Sequence, residues 1–240
     1  NPARGDRHLW ERAGPRFALT PLWQEMTGNI GMRGDYLHLS DGGHFENLGL
    51  YEAVRRRCRF IIAVDAGCDP QFSFADLGNA MRKIQIDLGI HIRFVQLERL
   101  KKRTSDGSVL TDADYCALGL IDYIAADGQP APGPSATKDG FILYLKAGYH
   151  GTEGAAIRSY ANAHLDFPHE STLDQWFSES QFESYRALGF EIADHVVSQA
   201  LGDPQFAATG DMEALFRCLW GKVTTSSFVA AAGSPASTPP

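Results

Sequence analysis

The run RFIIAVDAG, residues 59–67, constrains the fold more than any other stretch, because it is apolar from Phe60 to Val64 and then ends in a turn. A strand without polar alternation is buried on both faces, which is typical of a parallel sheet covered by helices. Upstream, a short strand is predicted over residues 36–40, and ENLGLYEAVRRR then has apolar residues at helical spacing, namely Leu50, Tyr51, Val54 and Cys58. These segments predict a βαβ unit.

The same alternation continues along the chain. FADLGNAMRKIQIDLG has a second helical stripe, and the strand IHIRFVQL follows it. Two more strands are predicted in ALGLIDYIA and GFILYLKA, separated by an exposed Pro/Gly-rich loop over residues 127–140. The second stripe consists of Leu77, Met81, Ile84 and Leu88. The sequence therefore predicts an α/β fold in which a mostly parallel β-sheet is flanked by helices in a three-layer α/β/α arrangement.

The C-terminal part is predicted to be helical and then disordered. FPHESTLDQWFSESQFESYRALGFEIADHVVSQAL predicts a helix with Ser171 or Thr172 as N-cap and a break near Gly189. The stretch after the break is striped by Ile192, Val196 and Val197. Residues 222–240 lose this periodicity and predict a disordered tail, so residues 1–221 are interpreted as belonging to one domain.

Composition excludes some classes of function. The formal charge of −7 disfavours a nucleic-acid partner, which would favour a basic face. No apolar run reaches the roughly 18 residues that a membrane-spanning helix needs. The four cysteines form no CxxC pair, which predicts reduced, mostly buried thiols in a cytosolic-type compartment.

Asp41 stands at the carboxyl end of the first predicted strand, in LSDGGHFENLG, residues 39–49. Ligands and reacting groups gather at that end of the strands in open α/β sheets. Gly42 and Gly43 permit a sharp turn and leave room for a substrate or another backbone to approach the carboxylate. From the residues alone, a structural role is favoured over a catalytic one, with Asp41 capping the next helix and the glycines turning the chain.

Three separate stretches of the chain resemble one family. LSDGGHFENLGLYEAVRRRCRFIIAVDAGCDP, DLGNAMRKIQIDLGI and FPHESTLDQWFSESQFESYRALG are similar to the C-terminal half of the bacterial patatin-like phospholipases, relatives of patatin and of the cytosolic phospholipase A group. The resemblance runs over about residues 20–195. It implies a patatin-like three-layer fold that is incomplete at its N-terminal side.

The resemblance also implies an acyl hydrolase that uses a serine–aspartate dyad. Members of the family have a serine in a G-x-S-x-G turn, a glycine-rich oxyanion loop before it, and an aspartate in a later DGG or DGA motif. Asp41 matches that aspartate, and Gly42 and Gly43 complete its motif. The aspartate would act as general base toward the serine, with lipid acyl esters or phospholipids as substrates and without a metal or organic cofactor.

The chain departs from this pattern because it contains no G-x-S-x-G. The nearest approach is GPSAT, but its Ser135 lies in the Pro-rich loop and follows Asp41, whereas the serine precedes the aspartate in the family. We therefore expect the nucleophilic serine and the oxyanion loop to lie upstream in a longer parent protein, and this chain alone to be inactive. The alternative is a non-catalytic module that retains the fold and binds lipid or a protein partner. Either function predicts a cytoplasmic protein, or one associated with a membrane surface on the cytoplasmic side.

Other polar residues are interpreted as structural. His44 is expected to be a bystander, since the dyad needs no histidine. His169 and Glu170 do not form an HExxH motif, because position 173 is Leu173. Asp65 is expected to close the turn before Gly67, and Asp69 to fix the chain before Pro70.

Two further groups of residues each allow two readings. The arginines at positions 55, 56, 57 and 59 are expected to complement a helix dipole in water, although they could meet lipid phosphates. The aromatic residues around FPHESTLDQWF are assigned to core packing, with an acyl-chain groove as the alternative.

Overall fold

The computed structural model describes residue 17 and residues 19–29, 41–104, 108–128 and 139–232 of the 240-residue chain. The chain divides into two compact units, Asn1–Phe45 and Glu46–Pro240. In the first unit, the described elements are helix α1 (Leu19–Met26) and the 3-10 helix Gly42–His44. The strand predicted over residues 36–40 lies outside the described residues.

The second unit contains a four-stranded mixed sheet. Its strands are β1 (Phe60–Asp65), β2 (Ile92–Val95), β3 (Cys116–Ile121) and β4 (Gly140–Lys146), in the order β1-β4-β3-β2. The pairing of β1 with β4 is parallel, whereas β3 runs antiparallel to both β4 and β2. The predicted α/β class is confirmed, but the prediction of a mostly parallel sheet is wrong. An apolar strand buries the same side chains against the covering helices in either orientation. Its sequence therefore does not specify whether it pairs in parallel or antiparallel fashion.

Helices cover both faces of the sheet. On one face, α2 (Leu50–Arg55) and α3 (Ala75–Leu88) bury Val54 and Ile84 in a core shared with Ile142 and Tyr144 of β4. On the other, α6 (Glu179–Leu201) and α8 (Met212–Ala232) form a core with Leu143 of β4. The other described helices of this unit are α4 (Tyr123–Asp127), α5 (Ala155–Ala163), α7 (Pro204–Thr209) and the 3-10 helix Leu97–Arg99. Alternate residues of β4 thus face opposite helical layers, as the two-residue period of a strand requires.

Several predicted boundaries shift. Helix α6 begins at Glu179, and its N-cap is Ser178, whose Oγ accepts a hydrogen bond of 3.1 Å from the Gln181 N–H. The predicted N-cap at Ser171 or Thr172 is therefore wrong. The helix also continues unbroken through Gly189. A single interior glycine costs only about 1 kcal/mol, which tertiary packing of the buried helix face offsets.

The C-terminal helix and the cysteines also differ from expectation. Helix α8 extends to Ala232, so residues 222–232 of the stretch predicted to be a disordered tail are helical, while residues 233–240 lie outside the described residues. All four cysteines are free thiols, but Cys58 and Cys68 are exposed rather than buried. Among the described helices, none combines the length and the hydropathy that crossing a bilayer requires.

Candidate functional site

Asp41 presents its carboxylate to solvent at the start of the Gly42–His44 turn. Its backbone is extended, with φ −68° and ψ 164°, and its side chain is 79% exposed. Oδ1 accepts a hydrogen bond of 3.3 Å from the His44 N–H and lies 2.9 Å from His44 Nδ1. Asp41 therefore acts as the N-cap of this 3-10 turn, and its carboxylate remains accessible. The expectation that Asp41 caps the helix containing Tyr51 is wrong, because the N-cap of α2 is Gly49.

The hydrogen bonds from His44 set the electrostatics of this corner. The side-chain bond, the backbone bond and the charge of His44 together hold the pKa of Asp41 below its usual value, so the carboxylate is ionised at neutral pH. His44 is thus a direct partner of Asp41, which the sequence did not predict. A Cβ added to Gly42 would meet no atom of the described residues within 4 Å.

A buried polar network occupies the carboxyl ends of β1 and β4. Lys146 is 1% exposed, and its Nζ lies 3.0 Å from Asp65 Oδ2 and 3.3 Å from Asp69 Oδ2. The parallel register pairs Asp65 with Lys146 directly across the two strands. The Tyr144 hydroxyl also donates to Asp65 Oδ2. Burial and this hydrogen bond raise the pKa of Tyr144, so the hydroxyl keeps its proton and remains a donor.

The two aspartates of this network also hold the backbone. Asp65 Oδ1 accepts a hydrogen bond of 3.0 Å from the Gly67 N–H, which confirms its predicted turn role. Asp69 instead accepts from the N–H groups of Ser73 and Phe74, at 2.8 and 2.9 Å, just before α3. Burial alone would raise the pKa of Asp69, but these hydrogen bonds and the charge of Lys146 lower it to about 2.

His169 joins this network from the FPHEST segment. The Asp69 N–H lies 3.2 Å from His169 Nδ1, and the Cys68 thiol donates to the His169 carbonyl at 3.0 Å. Burial and the nearby charge of Lys146 lower the pKa of His169, so the ring is neutral near pH 7. Its Nε2 has no hydrogen-bond partner among the described residues. The network therefore ties the FPHEST segment to the end of β1, with every carboxylate already bonded.

The sequence analysis missed Tyr144 and Lys146. Both occur in GFILYLKA, at alternate positions on one face of β4, and Lys146 is the charged residue that ends an otherwise apolar run. Such a residue at a strand end was the available signal. Its partner Asp65 was recognised only as a turn residue, because the two are 81 positions apart in the chain.

A cavity of about 260 Å³, here named the Glu170 pocket, lies beside the end of β1. Of the aromatic residues assigned to core packing, Phe167 is buried in a core, whereas Phe177 lines this cavity and Trp176 is 86% exposed. Among the described residues, no group of three or more His, Cys, Asp or Glu side chains is placed to hold a metal ion. The pocket is lined by Ala66, Pro168, Glu170, Ser171, Thr172, Phe177, Gln181, Phe182 and Tyr185.

The arginines near the end of α2 form ion pairs with carboxylates of the chain, which does not favour the alternative role of binding lipid phosphates. Arg55 and Arg56 both bond Glu52, at 2.7 and 2.6 Å. Arg57 bonds Asp127, and Arg59 bonds Glu213 at 2.8 Å. Ser135 lies outside the described residues.

Comparison with known proteins adds no relative. The chain matches no protein-family model, and neither the comparison with curated proteins nor that with solved structures found a similar chain.

Proposed function

We propose that this chain supplies the general-base aspartate of a patatin-like serine acyl hydrolase that acts on lipid acyl esters or phospholipids. The observation that carries the proposal is the Asp41 corner, where an ionised carboxylate that is 79% exposed stands within the DGG motif. A general base must be unprotonated and reachable by the group whose proton it takes. Asp41 meets both requirements.

In the proposed reaction, an upstream serine attacks the ester carbonyl while Asp41 accepts the serine proton. Backbone N–H groups of the oxyanion loop stabilise the negative charge on the carbonyl oxygen. The alcohol leaves with a proton, and water then attacks the acyl-enzyme to release the fatty acid. His44 orients the carboxylate through Oδ1, at 2.9 Å from its Nδ1, and is a positioning residue in this scheme.

Exposed apolar side chains on β1 are consistent with a domain in which additional elements pack against this strand. Among the described strands, β1 lies at one end of the sheet order. Two of its apolar side chains are exposed, Ile62 by 46% and Val64 by 64%. Large apolar residues on a strand are ordinarily covered by another element. This surface supports the proposal that upstream elements complete the hydrolase domain.

The test is an ester-hydrolysis assay on the parent protein with Asp41→Asn. Asparagine keeps the size of aspartate but cannot accept the serine proton, so turnover should fall about 10²- to 10⁴-fold. Asp112→Asn is the matched control, because Asp112 is 69% exposed and is also bonded to a basic side chain. Thermal melts of both variants separate lost chemistry from unfolding. If Asp41→Asn retains nearly full turnover, Asp41 is not the general base.

A second candidate is a non-catalytic lipid-binding module, and α1 is the observation that favours it. All five large apolar side chains of this region are more than half exposed, which is typical of a helix that lies in a membrane interface. They are Phe17, Leu19, Leu22, Trp23 and Met26. Under this alternative, Trp23→Ala should weaken co-sedimentation with phospholipid vesicles, and Asp41→Asn should have no effect on any activity of the parent protein.

A further inference from the structure

The Glu170 pocket combines aromatic walls with a single carboxylate. Phe177, Phe182 and Tyr185 contribute to its lining, and Glu170 is the only charged residue among the described residues that line it. These described lining residues include no lysine or arginine. The faces of aromatic rings carry negative potential and attract cations, and a carboxylate adds a full negative charge. The lining therefore favours a positively charged ligand with an apolar surface.

The carboxylate of Glu170 is fixed in place before any ligand arrives. The Tyr160 hydroxyl donates to Oε1 at 3.1 Å, and Gln181 Nε2 donates to Oε2 at 3.2 Å. The backbone N–H of Glu170 donates to the Tyr185 hydroxyl at 3.2 Å, which holds the Glu170 backbone against one of the aromatic lining residues. His164 Nδ1 lies 3.5 Å from Oε1 at a half-exposed position. A preorganised group of this kind loses little freedom when it binds a ligand.

The size of the cavity limits the ligand. Its volume of about 260 Å³ falls below the roughly 300–1,000 Å³ of pockets that enclose drug-sized molecules. A compact headgroup suits this volume better than a long acyl chain does. The Glu170 carboxylate also disfavours phosphate and carboxylate groups, because like charges repel at short range.

We propose that the Glu170 pocket binds an organic ammonium group, of the kind that choline carries. The aromatic residues would contact its methyl groups, and Glu170 would neutralise its charge. The pocket contains none of the residues of the Asp41 corner, and the inference does not depend on the proposed hydrolase activity. The ammonium group could belong to a free small molecule or to a phospholipid headgroup. Binding to vesicles, compared with binding of choline, distinguishes these two sources.

Equilibrium dialysis of the chain against radiolabelled choline tests the proposal. We expect saturable binding that Glu170→Gln weakens roughly 5- to 30-fold, a loss between those typical of exposed and of buried ion pairs. Phe182→Ala should weaken it in the same direction. Phe190→Ala is the matched control, because Phe190 is a similarly exposed phenylalanine of α6 that does not line the pocket. A thermal melt of each variant shows that the fold is retained.

A neutral competitor decides whether charge matters. The carbon isostere of choline, in which a tert-butyl group replaces trimethylammonium, should compete at least about 10-fold less well than choline. Equal competition, or unchanged binding by Glu170→Gln, would overturn the proposal in favour of a merely apolar pocket. Absence of choline binding together with no retention on phosphatidylcholine vesicles would also overturn it. Retention of the protein on phosphatidylcholine but not on phosphatidylglycerol vesicles, together with its loss in Glu170→Gln, would identify the phospholipid headgroup as the source. Binding of choline without retention on either kind of vesicle would identify the free molecule.

Discussion

Replacing Lys146 by methionine removes the ammonium group that lies between Asp65 and Asp69 at the ends of β1 and β4. Methionine has a similar length and an apolar surface, so the substitution deletes a charge without opening a large cavity. Lys146 and Asp65 are 1% and 4% exposed, so water does not replace the lost contact. The two carboxylates then face each other without the cation that separates their charges.

The expected loss of stability follows from that burial. Removing one partner of a buried pair costs about 3–5 kcal/mol, because the remaining charge is left uncompensated. Asp65 keeps the bonds from Tyr144 and Gly67, and Asp69 keeps those from Ser73 and Phe74. We therefore expect the lower end of this range, about 3 kcal/mol. For a chain of this size, the melting temperature falls by roughly 2–4 °C per kcal/mol, which gives about 6–12 °C.

The assay is urea unfolding at pH 7, with Lys101→Met as the matched control. Lys101 bonds Asp112 at an exposed site, where an ion pair contributes only about 0–1 kcal/mol. A Lys146→Met, Asp65→Asn double variant should lose less free energy of unfolding than the sum of the losses of the two single variants, because the two groups interact. If Lys146→Met and Lys101→Met lower the free energy of unfolding equally, the buried network does not stabilise the fold as argued.

Three further outcomes are expected. The pKa of Asp69 is lowered to about 2 in the folded state, so this carboxylate stabilises the fold by roughly 2 kcal/mol above pH 4. That stabilisation is lost as the pH falls from about 4 toward 2. Acid unfolding of Asp69→Asn should therefore lack this pH-dependent loss. Because His44 lowers the pKa of Asp41, His44→Ala should shift the acidic limb of the parent protein's kcat/KM profile to higher pH, and an unmoved limb would mean that His44 does not tune the base. The chain alone should give p-nitrophenyl ester turnover at background, and turnover that disappears with Ser135→Ala would identify that serine as a nucleophile after all.

Local pattern alone predicted the four described strands and three of the helices, α2, α3 and α6, but not α1, α4, α5, α7 or α8. The apolar run 59–67 predicted β1, and GFILYLKA predicted β4, because a short apolar run bounded by turns is typical of a strand. The predicted burial on both faces holds for β4 but is wrong for β1, whose Ile62 and Val64 are exposed on one face. The stripe of Leu77, Ile84 and their neighbours predicted α3, since one face of a helix recurs every three to four residues. The DGG motif drew attention to Asp41, although nothing in the residues predicted its bond to His44.

Tertiary structure decided how those elements are arranged and which polar groups meet. The antiparallel orientation of β3 depends on its pairing with β2 and β4, because both directions bury the same apolar side chains. The contact between Asp65 and Lys146 joins residues 81 positions apart, and it exists only because β1 and β4 are neighbours in parallel register. The Glu170 pocket likewise combines Ala66 at the end of β1 with Tyr185 on α6. Hydrophobic periodicity acts over a few residues and specifies local conformation, whereas these contacts depend on long-range packing that the periodicity does not encode.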